Sequence, residues 1–210
     1  MHEPLDIHSP NRVKLPPVRA GQRVGLMGGT FNPPHEGHVV CALTAIRRLE
    51  LDQLWWMVTP GNPLKSGAGL PSLEDRMAES RQLVRDPRIK VTGFEAVLGS
   101  PYTYATVRYL TRRLPGVRFV WVMGADNLAS FHHWQRWQDI AALVPIVVVD
   151  RPGWRIRALS SPAAARLARF RVPEDAARRL PNMGAPAWTF LSTRLSEASS
   201  TALRAAAPIF

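Results

Sequence analysis

Apolar positions along this chain change period in a regular alternation. RVGLM (23–27) is a short continuous apolar run closed by glycines, and HVVCALTAIRRLEL (38–51) repeats its apolar positions at helical spacing. LWWMVTP (54–60) is a second continuous run, stopped by proline. Ser72 then offers an N-cap to SLEDRMAESRQLVRD, with Asp75 at the reciprocal capping-box position. IKVTGF (89–94) predicts a strand, YATVRYLTRRL (104–114) a helix and VRFVWVMG (117–124) a strand. Trp134 to Leu143 predicts a helix, PIVVVD (145–150) a strand, AWTFLS (187–192) another strand, and a final helix starts near Ser199. Residues 151–185 carry no clear strand pattern.

Strands that are apolar throughout, alternating with amphipathic helices, imply a parallel sheet covered on both faces. The expected fold is therefore α/β: a Rossmann-like, doubly wound parallel sheet in a single domain with a short C-terminal helical or strand extension. Such sheets bind ligands beyond the carboxyl ends of their strands, at a topological switch point. Residues 1–21, rich in proline and charge, are expected to form a flexible arm, and residues 22–210 the domain.

A length of 210 residues suits one sizeable core, and no apolar run approaches the ~20 residues that cross a bilayer. The N-terminus has no apolar stretch of the secretory kind, and one cysteine, Cys41, makes no internal disulfide framework. A cytoplasmic protein is expected. Lysine and arginine number 27 against 16 acids, a net charge of +11 that favours anionic partners. The arginines stand in scattered pairs (Arg47 and Arg48, Arg112 and Arg113, Arg178 and Arg179), whereas a nucleic-acid surface calls for basic residues and aromatics massed on one face. No specific nucleic-acid or membrane partner is expected, and a homo-oligomer is compatible with the sequence.

The chemistry concentrates in GGTFNPPHEGH (28–38), directly after the first strand. GLMGGT lacks the GxGxxG spacing of a dinucleotide fingerprint, and GNPLKSG has Leu64 before Lys65 where a P-loop has glycine. Gly28 and Gly29 nonetheless let a polyphosphate approach the backbone. His35 and His38 are spaced i, i+3 rather than the i, i+4 of a zinc helix. Two prolines before His35 place it in a loop at a helix start, where free N–H groups favour a phosphate. Metal ligation and purely structural histidines are the rival readings.

The HxGH pattern within GGTFNPPHEGH resembles the signature of the nucleotidylyltransferase superfamily, and SSTALR (199–204) resembles its second, C-terminal signature. In its full form the first motif is similar to that of bacterial nicotinate-nucleotide adenylyltransferases. TPGNPLK (59–65), PYTYATV (101–107), GADNL followed by WQRWQDI, and Arg151-Pro152-Gly153 extend the resemblance over most of residues 23–206. Asn32 departs from it, standing where aspartate is common.

The resemblance implies transfer of the adenylyl group of ATP to nicotinate mononucleotide, with Mg²⁺ arriving on the ATP and no protein metal site. It assigns His35, His38, Lys65 and Arg204 to the reacting phosphates. Gly28, Gly29, Thr30, Phe31, Gly124, Asp126, Ser199, Ser200 and Thr201 fall to ATP; Tyr102, Thr103, Thr106, Trp134 and Arg151 fall to the acceptor. Trp137, at helical spacing from Trp134, is expected to pack in the core. Adenylyl transfer to nicotinamide mononucleotide or phosphopantetheine, and a basic nucleic-acid-binding module, are the alternatives.

Overall fold

The computed structural model describes residues 15–61 and 70–193. Six strands form one sheet: β1 (Arg23–Gly29), β2 (Gln53–Val58), β3 (Ile89–Thr92), β4 (Arg118–Gly124), β5 (Ile146–Val149) and β6 (Trp188–Leu191). Their order is β3-β2-β1-β4-β5-β6 and every neighbouring pair is parallel. The chain winds outward from β1 to β3, then returns to the centre and winds the other way from β4. The switch point therefore lies between β1 and β4, and the crevice opens at their carboxyl ends.

Period-two alternation distributes the strands' apolar side chains between two cores. Leu54, Trp56 and Val58 join one cluster while Trp55 and Met57 join the other; Val120 and Val122 oppose Trp121 and Met123 in the same way. Because both faces are covered, the strands read as unbroken apolar runs. One face is covered by α1 (Glu36–Leu49) and α2 (Leu73–Leu83), the other by α3 (Thr103–Arg113), α4 (Ala125–Ser130) and α5 (Trp137–Leu143). Residues 151–185 form α6 (Arg155–Leu159), α7 (Pro162–Arg166) and 3₁₀ turns at Ala168–Phe170 and Glu174–Asn182. No helix among the described residues is long and apolar enough to cross a membrane.

Three local departures from the sequence pattern matter for the site. The run after Gly124, whose Asp126 the family resemblance gives to ATP, continues as the short helix α4. The helix expected from Trp134 starts only at Trp137, because Trp134 is extended and Arg136 takes a left-handed conformation with φ 55°. Arg136 is held there by Asp139 at 2.7 Å and by stacking 3.9 Å above the Tyr104 ring. The strand expected over 89–94 ends at Thr92, and Phe94–Leu98 forms a 3₁₀ turn. The helix expected near Ser199 lies outside the described residues.

Residues 15–20, placed in the N-terminal arm by their composition, lie against the domain. Leu15 and Val18 pack on the core, and the Gln53 amide donates to the Pro17 carbonyl at 2.8 Å. Truncation to Gly21 is expected to remove ~1–2 kcal/mol of apolar burial and hence ~2–8 °C of Tm. A thermal melt unchanged by the truncation would contradict this packing.

Candidate active site

A cavity of about 470 Å³ occupies the switch point. Gly28, Gly29, Thr30, Phe31, His35, His38, Gly124 and Asp126 line it from the ends of β1 and β4, and Tyr102, Thr103, Trp134 and Arg151 line it from the flanking turns. Distant parts of the sequence thus meet in one place. Lys65, Ser199, Ser200, Thr201 and Arg204 lie outside the described residues.

The two histidines are set by the start of α1. His35 is the N-cap, with extended backbone, and its Nδ1 accepts from the Gly37 N–H at 3.1 Å. Its own N–H donates back to His38 Nδ1 at 3.3 Å. Together these form a capping box in which imidazoles replace the usual hydroxyl and carboxylate. Both Nδ1 atoms act as acceptors, so each neutral ring carries its proton on Nε2. The rings stack with centroids 3.7 Å apart, and Phe31 meets His38 edge-on at 4.9 Å. Burial, joined by the Arg151 charge and opposed by Asp126, lowers the pKa of His35 to about 4. Near neutral pH His35 is thus an uncharged Nε2–H donor at a helix N-terminus, suited to a phosphate oxygen.

On the β4 side, Arg151 pairs with Asp126 at 3.2 Å. The other carboxylate oxygen, Oδ1, is buried over Gly124 with no hydrogen-bond partner among the described residues. Gly124 leaves room for this pair, since a Cβ there would run into Asp126 Oδ1 and Arg151 Cδ and displace them. Cys41 also lines the cavity, but burial pushes its thiol up to about 12 and keeps it protonated. Among the described residues no three His, Cys, Asp or Glu side chains gather into a metal site.

On the third side, Tyr102 is the N-cap of α3 and makes no side-chain cap bond; the Ala105 N–H donates to the Tyr102 carbonyl at 3.0 Å, and the Thr103 and Tyr104 N–H groups are the ones available to an anion. Trp134 lines the cavity, braced edge-on by Trp121 at 6.2 Å and Phe131 at 5.3 Å. Trp137 packs against Phe131 in the core. Thr106, placed at the acceptor by sequence, is fully buried, and its hydroxyl donates to Glu95 Oε1 at 2.7 Å. It therefore supports a cavity-lining side chain instead of lining the cavity itself.

The comparisons bear on this geometry. Residues 26–206 match the cytidylyltransferase-like family model. A probable nicotinate-nucleotide adenylyltransferase of Agrobacterium fabrum is 57% identical over 86% of this chain and 97% of its own length. Its counterpart in Bradyrhizobium sp. (strain ORS 278) is 55% identical over 87% and 95%. This chain belongs to the nicotinate-nucleotide adenylyltransferase family. The solved structure of Plasmodium falciparum nicotinic acid mononucleotide adenylyltransferase complexed with NaAD aligns with a TM-score of 0.62 over 88% of this chain and 83% of that one. At 15% identity that likeness concerns the Rossmann-like fold, which this adenylyltransferase family member shares.

Glu95 is a cavity residue that sequence reasoning missed in this family member. Nothing in FEAVLG distinguishes it from a surface glutamate; only the 3₁₀ turn after β3 turns it inward. Burial raises its pKa to about 7, partly opposed by the Thr106 hydrogen bond. A raised carboxyl pKa makes the folded state bind more protons than the unfolded one between pH 4.5 and about 7, so stability falls as pH rises through that window. Glu95→Gln keeps an acceptor for Thr106 without burying charge. The Tm advantage of the variant is expected to grow from pH 5 to pH 8; a constant difference would refute the buried-carboxylate assignment.

Proposed function

We propose that this protein transfers the adenylyl group of MgATP to nicotinate mononucleotide, releasing pyrophosphate and forming nicotinate adenine dinucleotide in the cytoplasm. The observation that carries the reading is the imidazole capping box. It presents two fixed Nε2–H donors and a helix N-terminus to the same cavity that holds a helix start with no side-chain cap, a braced tryptophan and a carboxylate, Asp126, paired through one oxygen with Arg151.

The acceptor's phosphate oxygen attacks the α-phosphorus of ATP, and the bond to the β-phosphate oxygen breaks on the opposite side. The nucleophile is already ionised, so the protein supplies position and charge stabilisation in place of a general base. His38, with His35 stacked behind it, donates to the oxygens of the transferred phosphoryl group as charge redistributes. Gly28, Gly29, Thr30 and Phe31 bring backbone close to the triphosphate, and the Asp126 carboxylate accepts from the ribose. Lys65, Arg204, Ser199, Ser200 and Thr201 are assigned by the family resemblance to the β- and γ-phosphates. Mg²⁺ enters as part of the nucleotide substrate, neutralising its phosphates.

The test is incubation of the protein with MgATP and a panel of acceptors, with pyrophosphate assayed and products separated by chromatography. Turnover with nicotinate mononucleotide supports the reading. Turnover only with phosphopantetheine, or none with any acceptor, refutes it.

A further inference from the structure

Arg76 on α2 is 1% exposed, and the hydrogen bonds of its guanidinium among the described residues go to backbone carbonyls. Nη1 donates to Thr30 O at 2.7 Å and Thr59 O at 2.8 Å, Nη2 to Pro60 O at 3.4 Å and Nε to Pro71 O at 3.0 Å. Thr30 follows β1 and Thr59 follows β2, and both line the cavity. One side chain thus joins the exits of two neighbouring strands at the carboxyl end of the sheet.

The bond to Thr30 O acts on a strained place. Phe31 has φ 46°, a left-handed conformation that costs an aromatic residue energy and persists only where tertiary contacts impose it. From one side its ring is held by Trp56 at 4.5 Å and His38 at 4.9 Å. From the other, Arg76 fixes the carbonyl of the Thr30–Phe31 peptide. Because a trans peptide is planar, holding that C=O toward Arg76 aims the Phe31 N–H the opposite way. Arg76 so determines which edge of this peptide faces the cavity.

A buried guanidinium is a costly way merely to fill space, since its desolvation lowers its own pKa. Its planar fork, however, can hold several carbonyls in fixed relation, which an ammonium on a flexible stem cannot do. We infer that Arg76 is a positioning residue for the nucleotide phosphates, locking the Thr30–Phe31 and Thr59–Pro60 peptides in the conformation that receives them. This rests on the adenylyl-transfer reading above.

Arg76→Lys keeps the charge and loses the fork; Arg76→Ala loses both. Each folded variant is titrated calorimetrically with a non-transferable ATP analogue plus Mg²⁺, and kcat is measured with saturating acceptor. Arg76→Lys is expected to weaken analogue binding at least fivefold. Millimolar guanidinium is expected to restore part of the binding to Arg76→Ala while leaving the wild type unchanged. If Arg76→Ala does not fold, the lysine variant alone decides. A lysine variant with wild-type analogue affinity and kcat, or variants that lose only Tm while each folded molecule binds normally, would overturn the inference. A wild type that binds the analogue but transfers no adenylyl group would fault the proposed function and leave the positioning role standing.

Discussion

Replacing His38 by alanine is expected to lower kcat by ~10²–10³-fold, the usual loss for one preorganised donor aimed at developing charge. The structure adds a second, separable effect. His38 Nδ1 accepts the N–H of His35, so the alanine variant also loses half of the capping box. Removal of a cap contact costs ~0.5–2 kcal/mol, or ~2–4 °C of Tm per kcal/mol in a chain of this size. His38→Asn separates the two roles, because the Asn Oδ1 stands near the place of Nδ1 while nothing replaces Nε2–H. The asparagine variant is expected to recover most of the Tm and none of the kcat. Recovery of activity along with stability would show that His38 merely caps the helix.

That dual role was only half visible in the sequence. The prolines and the HxGH spacing already placed both imidazoles at a helix start, since the type and order of residues there leave few backbone options. What could not be read is that the His38 ring caps the His35 N–H while the His35 ring caps the Gly37 N–H, which depends on the extended conformation of His35. The strands were legible for a different reason. Residues such as Leu54 to Val58 are apolar on both faces, a pattern that only a doubly covered sheet requires. Trp134 and Trp137 show where the reading stops. Equal in type and three residues apart, they separate into a cavity wall and a core contact because Arg136 turns the chain through a left-handed conformation. Thr106, Glu95 and Arg76 were illegible for a common cause. Their partners lie 11 to 46 residues away, or are backbone carbonyls with no side-chain signature.

Acceptor choice follows from the side of the cavity built by Tyr102, Thr103 and Trp134. An indole face can stack on a pyridine ring for ~0.5–1.5 kcal/mol, and Trp121 and Phe131 hold Trp134 in place for it. Stacking does not separate nicotinate from nicotinamide, whose rings have nearly the same shape. The separation must come from groups that meet the carboxylate. With the Thr106 hydroxyl engaged by Glu95 and the Ala105 N–H by the Tyr102 carbonyl, the donors within reach are the Thr103 and Tyr104 N–H groups at the start of α3. A helix N-terminus favours a negative charge, and a carboxylate can accept from two N–H groups at once. An amide turns its own NH₂ toward one of them and leaves it unpaired, at ~1–3 kcal/mol. Nicotinate mononucleotide is therefore expected to exceed the nicotinamide form by ~10–100-fold in kcat/KM. Thr106→Val should leave that ratio largely unchanged, because its hydroxyl never meets the acceptor, whereas Trp134→Ala should weaken both acceptors alike. Proline at Thr103 removes one of the donors at a position where helices tolerate it, and should compress the ratio. Equal kcat/KM for the two acceptors in the wild type would remove the α3 N-terminus from acceptor recognition and leave the adenylyl-transfer chemistry without its nicotinate preference.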